Sequence, residues 1–302
     1  MAIARRKSRQ IHVGNVPIGG DAPIAVQSMT TTKTEDVVAT LEEIHRLEEA
    51  GCELIRVAVP RERDAKVLGK IRSQMRVPLI ADIHFDYRLA LQALDQGVDC
   101  IRLNPGNIGS MDRVREVTRA AQSRRVPIRI GVNAGSLEED LLDQHGYPTA
   151  EAMVESAMRH VRILESLDFH DIKISIKASS VPLMVEAYRR LAVACDYPLH
   201  VGVTEAGMPP TGLVKSAIGI GTLMEDGIGD TIRVSLTEDP EFEIPVCRDL
   251  VKRYAAREQR YASENITPLK GRIELPYSPF QYRRRESHAV ENIGGKQVPV
   301  VV

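Results

Sequence analysis

A short apolar run followed by a helical pattern recurs eight times between residues 24 and 256, and few folds accept that repetition. The runs are Ile24–Met29, Leu54–Val59, Pro78–Ile83, Cys100–Leu103, Pro127–Val132, Ile172–Ile176, Leu199–Thr204 and Thr231–Leu236. They are rich in Ile and Val, which suits strands buried on both faces of a parallel sheet. The segment after the first run shows the helical logic. Thr34 is the expected N-cap, Glu35 and Asp36 stand in the first turn, Val37, Leu41, Ile44 and Leu47 share one face, and Gly51 ends the helix. Comparable segments follow at 62–74, 86–96, 111–124, 149–167, 180–195, 208–226 and 240–256. Eight βα units in this span predict an α/β fold, a closed (β/α)8 TIM barrel over residues 1–256. An open, doubly wound sheet is the alternative.

The flanks differ. Residues 7–20 alternate polar and apolar around Gly14-Asn15, which predicts an N-terminal hairpin plugging or decorating one end of the barrel. Past residue 256 the repetition stops. Residues 257–280 are polar and carry Pro268, Pro276 and Pro279, so an irregular C-terminal extension or linker is expected. The chain finishes on Val298-Pro-Val-Val-Val302, which reads as a strand that cannot bury itself alone.

Charge narrows the function. Lys and Arg number 40 against 41 Asp and Glu, which argues against a general nucleic-acid binder. Any anion site must be a local cluster of cations. No apolar run is long enough to span a membrane, and MAIARRKSRQ lacks the apolar core of a secretory signal. The four cysteines, Cys52, Cys100, Cys195 and Cys247, form no CxxC pair, so buried thiols in a reducing cytoplasmic compartment are expected.

In a (β/α)8 barrel the C-terminal ends of the strands face the active-site mouth. Here those ends carry Arg56, Asp82 with His84, Arg102 with Asn104, Arg129 with Asn133, Lys173 with Lys177, Thr204-Glu205, and Arg233 with Ser235. One such arginine usually marks a structural ion pair. Several strands doing it together, with mainly Asp82 and Glu205 to neutralise them, leave surplus positive charge that calls for an anionic ligand. Two phosphates match, with arginine supplying bidentate contacts. His84 reads either as a hydrogen-bonded rim histidine or as a phosphate contact and proton donor. Glu205 reads as a general acid/base or the partner of a lysine. The stretch Ile218–Thr237 adds Gly219, Gly221, Gly227 and Gly229 before the last strand. These glycines are expected to let backbone N–H groups approach an anion; the bland reading is a helix-to-strand connection that they cap and turn.

Seven segments, in order, carry a resemblance. They are Gln27-Ser-Met29-Thr, Ala81-Asp-Ile-His-Phe85, Ile101-Arg-Leu-Asn-Pro-Gly-Asn107, Gly131-Val-Asn-Ala-Gly-Ser-Leu137, Ser175-Ile-Lys-Ala-Ser179, Gly202-Val-Thr-Glu-Ala-Gly207 and Gly227–Thr237. Together they resemble the 4-hydroxy-3-methylbut-2-enyl diphosphate synthase family over about residues 7–250. The resemblance implies an oxidoreductase of the methylerythritol phosphate route to isoprenoids. Such enzymes reductively open the ring of 2-C-methyl-erythritol 2,4-cyclodiphosphate and eliminate water. By motif position it implies diphosphate ligands at Arg56, Arg102, Arg129, Asn133, Lys177, Arg233 and Ser235, with Glu205 facing the reacting carbons.

It further implies a [4Fe-4S] cluster in a separate C-terminal domain and an electron donor such as flavodoxin or ferredoxin; it leaves a homodimer open. The cluster domain's Cys-Pro-x-Cys-Gly motif is not in this sequence. No metal is therefore expected on this chain. Residues 257–302 resemble the start of the inserted middle domain of the three-domain form, so a barrel portion not competent alone is expected. The rival enzyme reading is a pterin-binding transferase barrel like dihydropteroate synthase. The non-catalytic rival is a phosphate-sensing or assembly module.

Overall fold

The computed structural model describes residues 5–264, 280, 284 and 286–299, with the backbone alone over 255–264. These fall into two units, one within residues 1–270 and one within 271–302.

The first unit opens with a hairpin, β1 (Ile11–Val13) and β2 (Val16–Ile18), turning at Gly14-Asn15 where Gly14 has φ 57. Eight parallel strands follow: β3 (Ala25–Met29), β4 (Leu54–Ala58), β5 (Leu79–Asp82), β6 (Cys100–Arg102), β7 (Ile128–Asn133), β8 (Ile172–Lys177), β9 (His200–Val201) and β10 (Thr231–Ile232). Their order, β8-β7-β6-β5-β4-β3-β10-β9, brings β8 and β9 to the two edges. A parallel bridge from Ile174 to Leu199 joins those edges and closes the barrel. The predicted (β/α)8 barrel is the observed fold, and its last two strands are shorter than the apolar runs suggested.

The helices lie between strands: α1 (Val37–Ala50), α2 (Glu62–Arg72), α3 (Tyr87–Asp95), α4 (Met111–Arg124), α5 (Glu139–His145), α6 (Ala150–Glu165), α7 (Val181–Ala194), α8 (Thr211–Glu225) and α9 (Glu243–Glu264). The short α5 is an addition to the expected pattern. The cap of α1 is Asp36, which accepts from the Ala39 N–H; Thr34 instead donates its hydroxyl to the Ala58 carbonyl at 2.6 Å. Glu35 therefore precedes the helix, and Gly51 ends it in the left-handed conformation, φ 93. α9 runs to Glu264, past the point where the sequence suggested a linker.

The hairpin plugs the N-terminal end of the barrel. Ile11, Val13 and Ile18 pack on Ala25, Leu54, Ile80 and Cys100, the inward residues that open β3 to β6. Among the described residues, no helix is long and apolar enough to cross a membrane.

In the second unit, Val290 and Ile293 exchange backbone hydrogen bonds across a tight turn at 2.8 and 2.9 Å. Val298 and Pro299 lie in no regular element, and residues 300–302 of the expected terminal strand lie outside the described residues. Pro268, Pro276 and Pro279 lie outside them as well.

Candidate anion-binding site at the barrel mouth

Strand alternation dictates the site. Inward residues lie two apart, so the strand that plugs the floor with Leu54 raises Arg56 above it. Ile80 is followed in the same way by Asp82, and Cys100 by Arg102. These charges converge with others on a cavity of about 170 Å³ at the C-terminal ends of the strands. Arg56, Arg102, Arg129, Lys177 and Arg233 line it, together with Asp82 and His84. Asn133 and Ser235 complete the predicted residues that reach it.

The cations are arranged around one carboxylate. Asp82 accepts from Arg102 Nη1 at 3.2 Å and lies 3.5 Å from Arg56 Nε. Burial pushes the Asp82 carboxyl up, but Arg56 and Arg102, then His84 and Arg129, outweigh it and leave the pKa below its ordinary value. Arg102 also donates from Nη2 to the Gly131 carbonyl at 2.6 Å. A Cβ at Gly131 would collide with this guanidinium, so Arg102 keeps this position only with glycine there. Arg129 is 1% exposed and donates to the Ser175 hydroxyl at 2.9 Å, while its Nη1 has no hydrogen-bond partner among the described residues.

Burial and mutual repulsion lower Arg56 and Lys177. Burial brings Arg56 to about 10, and Arg233 and Arg102 contribute while Asp82 opposes. Lys177 is held well below its ordinary value by burial, then by Arg129, Arg233 and Arg56, with Glu243 opposing. Positive charge is thus concentrated where water is scarce, an arrangement that a polyanion relieves.

Two predicted residues sit elsewhere. Asn104 does not line the cavity. It accepts from the Gly131 N–H at 2.9 Å and donates to the Gly131 carbonyl at 3.0 Å, which extends the β6–β7 ladder with a side chain. Glu205 is exposed on the loop after β9, with φ 51, next to Thr204, which does line the cavity. The glycine reading needs correction as well. Gly219 and Gly221 lie within α8, and Gly227 and Gly229 lie before β10, at the end of that strand opposite Arg233 and Ser235. Gly227 (φ 75) and Gly229 (φ 133) shape the turn, and a Cβ at Gly219 would press on Val203 at 2.7 Å. Their role is the connection and its packing, not the anion.

Sequence reasoning missed Glu243, which opens α9 and is 2% exposed. Its carboxylate accepts from the Leu236 N–H at 2.8 Å and the Ser28 hydroxyl at 3.3 Å, and lies 3.8 Å from Arg233 Nε. A helix residue carries no strand-end signal. Ser175 was findable, because period two places it between Lys173 and Lys177 on the inward face of β8.

The described residues offer no group of three or more His, Cys, Asp or Glu that could hold a metal. The thiols are dispersed, and burial pushes those of Cys52 and Cys247 up to about 12, unlike the thiolates that ligate iron.

Fold and mouth define a (β/α)8 barrel with a cationic cavity at the C-terminal ends of its strands. More particularly, the chain belongs to the GcpE TIM-barrel domain family, which it matches over residues 8–248. It is 58% identical over 274 residues to 4-hydroxy-3-methylbut-2-en-1-yl diphosphate synthase (flavodoxin) of Thermodesulfovibrio yellowstonii, covering 90% of this chain and 78% of that one. The protein of the same name from Bacillus cereus strain Q1 is 52% identical over 298 residues, 99% of this chain and 80% of its own. Among solved structures, dihydropteroate synthase from Stenotrophomonas maltophilia superposes with a TM-score of 0.59 at 13% identity, covering 83% of this chain and 98% of that one. At that identity the likeness shows the barrel fold alone.

Proposed function

We propose that this chain is the substrate barrel of an oxidoreductase of isoprenoid biosynthesis that converts 2-C-methyl-erythritol 2,4-cyclodiphosphate to 4-hydroxy-3-methylbut-2-enyl diphosphate. The relatives carry that product in their names, and the observation that carries the assignment to the mouth is the convergence of five cationic side chains on one cavity. The overall reaction takes up two electrons and two protons and releases one water, so the diphosphate persists from substrate to product. A site for it must hold the diphosphate throughout while the carbon skeleton changes.

The barrel's part is clamping and orientation. Arg56, Arg102, Arg129, Lys177 and Arg233 neutralise the diphosphate, with Asn133 and Ser235 donating neutral hydrogen bonds at the rim. Asp82 keeps Arg56 and Arg102 in place without neutralising the cradle. His84 is a rim contact, and Glu205 is the acid/base we assign to the reacting end.

A [4Fe-4S] cluster supplies electrons in the resemblance-implied scheme. The cysteines of the described residues do not fit one, so we place it in a separate domain and derive no step through it. The relatives' names specify flavodoxin, which we take as the class of electron donor.

Calorimetric titration of the folded chain with the cyclic diphosphate tests this reading. Arg102→Ala and Arg233→Ala should each weaken binding by about ten- to a hundredfold, the worth of a charge-assisted hydrogen bond. Undiminished affinity in both variants would sink the assignment of the mouth.

A further inference from the structure

We infer that Met29 is a positioning residue for the diphosphate cradle: its thioether sulfur orients Arg56 and Arg233 while leaving their charge free for the ligand. The inference rests on reading the mouth as a diphosphate site. Met29 ends β3, the strand between β4, which carries Arg56, and β10, which leads into Arg233. Register pairs Met29 directly with Arg56. Arg56 donates to Met29 Sδ from Nε at 3.1 Å and from Nη2 at 2.9 Å. Arg233 Nη1 approaches the same sulfur at 3.8 Å. One half-buried methionine therefore stands between two guanidiniums from neighbouring strands.

The choice of acceptor has a chemical consequence. Two like charges held close repel, and a carboxylate between them would fix both as tight ion pairs. It would also compete with an incoming phosphate for the same N–H groups. A thioether is a weak, neutral, polarizable acceptor. It gives the guanidiniums a direction and withholds a counter-charge. The carboxylates nearest these arginines stand farther off, Asp82 at 3.5 Å from Arg56 Nε and Glu243 at 3.8 Å from Arg233 Nε. The shortest contacts of Arg56 go to sulfur.

If Met29 only fills space, leucine serves as well, because Leu and Met exchange with little change in volume. Three variants separate the readings, with inorganic pyrophosphate as the probe, titrated calorimetrically into the folded chain beside a thermal melt. Met29→Leu removes the acceptor and should weaken pyrophosphate binding about three- to tenfold with the melting midpoint nearly unchanged. Met29→Gln restores a neutral acceptor of similar length and should bind within about twofold of wild type. Met29→Glu supplies a charged acceptor and should abolish measurable binding. A leucine variant that binds as tightly as wild type, or a glutamine variant that binds no tighter than the leucine one, would overturn the inference. If the Met29→Leu substitution alters folding, the glutamine–glutamate contrast decides, since equal affinities in those two variants also overturn it. Failure of folded wild-type protein to bind pyrophosphate removes the diphosphate reading itself, and the inference with it. That failure shows in the parent, whereas failure of the Met29 argument shows only in the variants.

Discussion

The floor and the mouth of this barrel are built from the same strands, two residues apart, and they solve opposite problems. At the floor, Leu54, Ile80 and Cys100 meet the hairpin residues Ile11, Val13 and Ile18 in an apolar plug. One pleat higher, Arg56 and Arg102 crowd like charges around Asp82 in a buried cavity. The floor gains from burying hydrocarbon. The mouth loses, because desolvated cations face each other with Asp82 and Glu243 as the nearby buried acids. A single pleat thus separates the part that holds the fold from the part we propose to bind the ligand.

The sharpest way to break this division is at the floor. Ile18 is 0% exposed, and Ile18→Ala should cost about 2–5 kcal/mol of stability through lost burial and the cavity left behind. Urea unfolding measures that loss. Pyrophosphate affinity of the folded fraction should not change. If affinity falls in step with stability, floor and mouth are not separable.

A comparable effect of opposite sign is expected just under the mouth. Lys173 sits in β8 in register with Arg129, is 0% exposed, and its Nζ has no hydrogen-bond partner among the described residues. Burial lowers it to about 8 from 10.5, with Arg129 and Arg56 contributing and Cys100 opposing. Between these values the unfolded chain binds more protons than the folded one, so stability rises as pH climbs from about 8 to 10.5. Below pH 8 the penalty is present in full, about 3 kcal/mol. Lys173→Met should therefore stabilise the chain at about pH 7 and remove its share of that rise. Urea midpoints of both proteins at about pH 7 and about pH 10 check this; parallel pH dependences would show that Lys173 is not the group responsible.

The division was largely legible in the sequence. Eight apolar runs at regular spacing fix a barrel, and charges at alternate positions within those runs can only point inward. What escaped depends on contacts between elements distant in sequence. Glu243 reaches Arg233 and Ser28 because α9 docks beside β3, and its ten-residue spacing from Arg233 carries no period. Met29 looks like core until its neighbours are known. Asn104 looks like a ligand contact, yet side-chain-free Gly131 leaves its backbone open to that amide. The glycines before β10 misled for a simpler reason: a glycine cluster next to a cationic strand reads as one site, although the strand's length puts them at opposite ends.

The rim supplies the smallest test, in a region between the two extremes. His160 on α6 is 3% exposed and uses both ring nitrogens: Nδ1 accepts from the Gly106 N–H at 3.1 Å, and Nε2 lies 3.2 Å from Glu138. This ties the loop after β6 to the loop after β7. The His160 hydrogen bond holds the Glu138 carboxyl at about 2, with burial opposing and the Ser156 hydroxyl helping. A depressed carboxyl contributes stability above its unfolded value of 4.5 and loses it as pH falls toward 2. Glu138 is partly open to solvent, which screens the interaction to about 1 kcal/mol. Glu138→Gln should lower stability by that amount at about pH 7 and converge on wild type near about pH 2. Since the loops it joins flank Asn104 and Asn133, pyrophosphate binding should weaken slightly, about twofold or less. A loss as large as that expected for Arg102→Ala would mean that rim geometry, and not charge alone, sets affinity at the mouth.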